Sequence, residues 1–129
     1  MAQRAVAETR QPDIQTKQMR PIDREHLAKQ CLGDEFLEIE VLRLFDKTLS
    51  SYLERLTQTQ DDADRKLILH SIKGASAGIG AWGIAELAKS IEGDIAAGHA
   101  LTPERIGDLG MAAEEVRNFI AVLVAEAEA

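Results

Sequence analysis

Much is excluded by what this 129-residue chain lacks. A single cysteine, Cys31, rules out an internal disulfide and leaves no Cys pair for a zinc or redox motif. Aromatic residues are scarce at 4%, and no Lys/Arg cluster carries interleaved aromatics. Basic excess is missing as well: 15 Lys and Arg stand against 22 Asp and Glu, a formal net charge of −7. A nucleic-acid partner is therefore not expected. No apolar run approaches the roughly 20 residues of a membrane span. The first twenty residues are polar and charged, unlike a signal peptide. A cytoplasmic, reducing setting with no membrane partner is the expectation.

What is present favours helix. The chain is 45% hydrophobic, rich in Ala, Leu, Ile and Glu, and holds only three prolines. Its length suits one domain with one core. Residues 1–20 show no sustained apolar period and are expected as a disordered or loosely docked tail. Arg4, Arg10, Lys17 and Arg20 outnumber Glu8 and Asp13 there, so a weakly basic tail precedes an acidic body, residues 21–129.

After Pro21, Asp23 can cap a short helix running through Leu27 to Cys31, with Gly33 as its stop. Asp34 then caps a longer helix to about Gln58, with Leu42, Phe45, Leu49, Tyr52, Leu53 and Leu56 as its main stripe, extended by Ile39. Leu37, Val41 and Leu44 form a second stripe, well off the first. Cover by the short first helix is the preferred explanation; a partner-docking patch is the alternative. Asp61 and Asp62 suit the start of a third helix, ending around Gly80 to Gly83. A fourth runs to about Ala97, with Ile84, Leu87, Ala88, Ile91 and Ile95 on one face and Gly98 as its stop. Thr102 and Pro103 open the last, whose seam is Ile106, Leu109, Ala113, Val116, Ile120 and Leu123. The expected fold is all-α, an antiparallel up-and-down four-helix bundle with a short extra N-terminal helix.

The third of these helices, through LHSIKGASAGIG, has two unlike faces. Ile68, Ile72, Ala75 and Ile79 make an apolar stripe that must face a core. His70 projects almost opposite, with Gly74, Ala77 and Ala81 beside it and Lys66 and Lys73 along its flank. A helix-interior glycine costs about 1 kcal/mol relative to alanine, and three lie between Gly74 and Gly80. Packing alone gives little reason for that cost. The bare face lets something bulky reach the ring, although Gly80 reads more simply as helix termination.

A neutral imidazole is a good nucleophile toward an activated phosphoryl group, and that transfer needs mainly positioning and charge neutralisation. His70 on a rigid helix supplies position, Gly74 leaves volume one turn on, and Lys73 can bring a cation to the new charge. A solvated Lys73 making no specific contact is the plain alternative. His26, beside Glu25, and His99, after Gly98, have no convergent partner in sequence and read as ordinary surface histidines.

The run HSIKGASAGIGAWGIAELAKSIE, His70 to Glu92, resembles the signature of histidine-containing phosphotransfer (HPt) domains of bacterial phosphorelays. The pattern matches without a gap at His70, Ile72, Lys73, Gly74, Ala75, Ser76, Ala77, Ile79, Gly80, Ala81, Ile84, Ile91 and Glu92. Gly78 departs from it, where many members have Asn, and so does Ala88, where Cys is frequent. Upstream, GDEFLEIEVLRLFDKTLSSYLERL resembles the family's preceding helix, so the likeness covers about Leu27 to Ala125.

The resemblance implies a four-helix bundle whose exposed His70 is phosphorylated on Nε2. Lys73 is then the charge partner and Gly74 the steric clearance. It also implies two partners, the receiver domain of a hybrid histidine kinase and that of a response regulator, between which His70 relays the phosphoryl group. The receiver brings Mg²⁺, so no cofactor or metal of the chain's own is expected, and a monomer is expected. No glycine-rich ATP-binding segment marks a kinase. A helical adaptor that binds receivers or a scaffold without carrying phosphate is the alternative. A metal or haem bundle using His26, His70 and His99 is poorly supported, since bundle metal sites use inward Glu-x-x-His motifs and none occurs.

Overall fold

A computed structural model describes residues 20–129, and five helices follow one another there: α1 Arg24–Gln30, α2 Glu35–Gln58, α3 Asp62–Ile79, α4 Trp82–Ala96 and α5 Pro103–Glu128. The tail expected over residues 1–20 lies, Arg20 apart, outside the described residues.

The local chemistry of the caps sets most of the boundaries. Asp23 accepts from the His26 N–H at 3.2 Å to start α1, and Asp34 accepts from the Leu37 N–H at 3.1 Å to start α2. α1 ends in a left-handed pair, Leu32 at φ 55° and Gly33 at φ 77°. Asp61 precedes α3 without a side-chain cap, and the Thr59 hydroxyl accepts its N–H instead. α3 stops at Gly80, whose φ of 83° lets the Ala81 N–H reach back to the Ser76 carbonyl at 2.8 Å. Thr102 caps α5 through the Arg105 N–H, with Pro103 in the first turn.

The long helices α2 to α5 form an all-α bundle in which each packs on its neighbour in the chain and α5 closes back onto α2. Connections of a few residues make successive helices antiparallel. The core is the predicted set of stripes: Leu42, Phe45, Leu49 and Leu56 meet Ile68, Ile72, Ile79, Ile84, Ile91, Ile95, Leu109, Val116, Ile120 and Leu123, all buried. Arg117 of α5 donates to Asp46 of α2 at 2.6 Å, and Arg43 pairs with Glu128 at the far end. Cys31 is buried at the end of α1; burial, then the Glu38 and Asp34 carboxylates, push its thiol up.

Two expectations are corrected. The short helix does not cover the second stripe of α2: Val41 is half-buried, but Leu37 is 42% and Leu44 65% exposed. A helix of 7 residues spans about 10 Å, and α1 is tied to the Gly80 end of α3, so it cannot lie along the stripe. Ala81 is not beside His70. The left-handed turn at Gly80 takes it off the helix, to a fully buried N-cap position of α4.

Candidate functional site

α3 is anchored by Ile68, Leu69, Ile72 and Ile79, and the ring on its opposite side is therefore pushed outward: the His70 side chain is 62% exposed. One turn before it stands Leu67, 63% exposed, and one turn after it stands Gly74. A Cβ built on Gly74 or on Gly78 would meet no atom of the described residues within 4 Å, so among them the surface beside the ring is open. Lys66 is exposed on the same helix. Ala77 is half-buried and small, as the bare-face reading requires.

The side of α3 toward α4 is not bare. Glu92, half-buried on α4, places Oε2 3.4 Å from His70 Nδ1 and Oε1 3.9 Å from Lys73 Nζ. The ring and the carboxylate are within ion-pair range without forming a hydrogen bond. His70, Lys73 and Gly74 thus share one surface, and Glu92 joins the first two.

Sequence reasoning gave Glu92 no role, although the residue closed the quoted run. Its signal was the hairpin: the α3–α4 turn lies near Gly80 and Ala81, and counting about equal numbers back from it on each side brings residue 92 level with residue 70. The other histidines do not join the site. His26 packs on the Trp82 ring with centroids 4.8 Å apart, and His99 is exposed in the α4–α5 loop. Among the described residues no three His, Cys, Asp or Glu side chains gather where they could hold a metal ion, and no helix is long and apolar enough to cross a membrane.

An outward imidazole thus stands beside a side-chain-free patch, on the second hairpin of a four-helix bundle. A family model for the Hpt domain matches residues 40–124, from the first turns of α2 to the end of α5. The chain belongs to the Hpt domain family. Comparison with curated proteins and with solved structures gives no match. Membership gives the chain a phosphotransfer role in a phosphorelay and an interaction with receiver domains. α1 and its cap Asp23 lie before the matched stretch.

Proposed function

We propose that His70 is the phospho-acceptor of this Hpt domain, taking the phosphoryl group from an aspartyl phosphate on the receiver of a hybrid histidine kinase and passing it to the receiver aspartate of a response regulator. The observation that carries this reading is the exposed ring of His70, held on a helix whose next turn, at Gly74, has no side chain.

In the incoming step the Nε2 lone pair attacks phosphorus while the bond from phosphorus to the aspartyl oxygen breaks, and the electron pair goes to the leaving carboxylate. Position and charge neutralisation do most of the work of such a transfer. α3 fixes the ring, and Lys73 lies one turn from it with a third of its side chain exposed, close enough to meet the new charge. Gly74 leaves room for the incoming loop. Mg²⁺ comes with the receiver's acidic pocket, and the Hpt chain works as a monomer in the cytoplasm. Exposed Leu37 and Leu44 on α2 and Leu67 on α3 give the receiver an apolar surface to dock on.

Incubation with a phosphorylated receiver tests the assignment. The chain should acquire an acid-labile, base-stable phosphate, and His70→Gln should abolish it. Labelling of the variant at the wild-type level would remove His70 from the mechanism. Stable receiver binding with no label on either protein would make the chain an adaptor.

A further inference from the structure

The bundle changes character at the Gly80 turn. Counting back equally from the connecting loops sets Ile79 level with about Val41 and Trp82 level with about Arg117. The first turns of α2 and the last turns of α5 therefore continue past the junction of α3 and α4, where Asp23 fastens α1. A groove of about 680 Å³ lies between these three helices, with Leu27 of α1, Phe36 of α2 and Leu123 of α5 in its lining. Phe36 is 75% exposed, so a large apolar ring is left without cover.

The groove is also acidic. Glu35, Glu38, Glu40, Glu126 and Glu128 line it against Arg24 and Arg43, an excess of three negative charges. Arg43 is already engaged by Glu40 and Glu128. Glu35, Glu38 and Glu126 have no ion pair among the described residues. The helix dipole accounts for Glu35 and Glu38, which stand in the first turn of α2. It does not account for Glu126 and Glu128, at the end of α5, where the dipole disfavours a negative charge and the last turn holds no basic residue. An apolar ring among uncompensated carboxylates calls for a basic segment with apolar side chains.

We propose that residues 1–19 of this chain dock in the groove, with Arg4, Arg10 and Lys17 toward Glu35, Glu38 and Glu126 and apolar side chains such as Val6 and Ile14 toward Phe36. The entry point of the chain fits. Arg20 and Pro21 share a small cleft with Gly83, Glu115 and Val116. Glu115 and Glu126 are eleven residues apart on α5, three turns, and so lie on one side of it about 16 Å apart. An extended chain crosses that distance in about five residues, so from about Gln15 backward the segment can occupy the groove. The tether makes docking intramolecular, and exposed pairs that are individually weak then suffice. His70 is ten residues down α3 from Gly80, about 15 Å, so a docked segment leaves the ring open.

The test uses the full chain with a spin label on Val6→Cys; the native Cys31 is buried and escapes labelling. The NMR amide signals of Glu35, Phe36 and Glu126 should broaden strongly, and those of Asp61 and Thr102, at the opposite end of the bundle, should not. Raising the salt to about 1 M, where the screening length falls to about 3 Å, should remove most of the broadening. Reversing the segment with Arg4→Glu, Arg10→Glu and Lys17→Glu alters no described residue and should abolish it. Adding Glu35→Lys, Glu38→Lys and Glu126→Lys to that variant exchanges the signs and should restore it. Broadening that is spread evenly, centred elsewhere or unchanged by reversal of the segment overturns the proposal, as does a folded sign-exchanged chain in which it fails to return. Spin-labelled chains are also mixed with isotope-labelled chains that carry no spin label. Broadening of the groove in that mixture would place the segment on a second copy and overturn docking within one chain.

Discussion

The backbone N–H of Asp23 donates to the Gly80 carbonyl at 2.9 Å, and the space a Gly80 side chain would need is taken by Asp23 itself. The same aspartate, 6% exposed, accepts from the His26 N–H through Oδ1 and from Trp82 Nε1–H through Oδ2 at 3.1 Å. One residue therefore caps α1, fastens it to the end of α3 and engages the first residue of α4. The clasp closes the end of the helix that carries His70, some ten residues from the ring, and α1 owes its place to it.

Gly80→Ala should be strongly destabilising. Its φ of 83° is in the left-handed region, where a non-glycine residue costs roughly 1–2 kcal/mol, and the new Cβ would lie 2.8 Å from the Asp23 carbonyl oxygen. Backbone atoms cannot swing aside as a flexible side chain would. A loss of about 2 kcal/mol or more is expected, which for a domain of this size lowers Tm by roughly 10 °C. Thermal melting followed through Trp82 fluorescence measures it, and a Tm within a degree or two of wild type would show the clasp to be dispensable.

Gly74→Ala should have the opposite effect on stability and an adverse effect on activity. No atom of the described residues lies within 4 Å of the added Cβ and the residue is in mid-helix, so the substitution removes backbone entropy from the unfolded chain without a collision among them. The bundle should gain about 0.5–1 kcal/mol while phosphotransfer slows, and Gly74→Leu should slow it severely in a folded protein. Stopped-flow transfer rates beside melting curves make the comparison. Full-speed transfer in a stabilised Gly74→Leu variant would show that the clearing serves no partner.

These contrasts mark what the amino-acid order revealed and what it withheld. Caps at Asp23, Asp34 and Thr102 were legible because a cap is local chemistry, complete within four residues. The exposure of His70 was legible because its angle to Ile72 and Ile79 is fixed once α3 is a helix. Glu92 was not singled out, since its nearness to His70 depends on where the α3–α4 turn falls, and a one-residue shift would turn it away. The fate of Leu37 and Leu44 depended on the docking of α1, which Asp23 and Trp82 decide from residues remote in sequence. Ser76, fully buried with a hydroxyl that has no hydrogen-bond partner among the described residues, carries no sequence signal separating it from the small residues around it.

Leu44→Glu should leave the fold intact and weaken receiver binding. The side chain is 65% exposed, so stability should change by no more than about 0.5 kcal/mol. An added carboxylate would oppose the acidic rim of a receiver's phosphorylation pocket as well as remove apolar contact. Met111→Glu is the matched control: Met111 is 73% exposed on α5, a helix that does not pack against α3. Titration of a labelled receiver should give a Kd at least about tenfold weaker for Leu44→Glu, or about 1.4 kcal/mol, and an unchanged Kd for the control. Equal affinities for both variants would move the docking surface away from the second stripe of α2.

Lys73→Ala separates a functional cation from an ornamental one. The lysine reaches Glu92 at 3.9 Å with about a third of its side chain exposed, and such a pair contributes between 0 and about 1 kcal/mol. Loss of the pair should therefore scarcely move Tm. Its loss beside a phosphoryl group is a different matter, because the phosphoryl charge then sits next to Glu92 without the one cation that pairs with that carboxylate among the described residues. The expected outcome is a several-fold lower yield of phosphohistidine at equilibrium with a fixed ratio of phosphorylated to free receiver, restored in large part by Lys73→Arg, which keeps the charge. The phosphohistidine fraction, read after quenching in base, checks both variants. Wild-type yield in Lys73→Ala would return the side chain to solvent. A deficit that Arg fails to repair would mean that shape at this position matters more than charge.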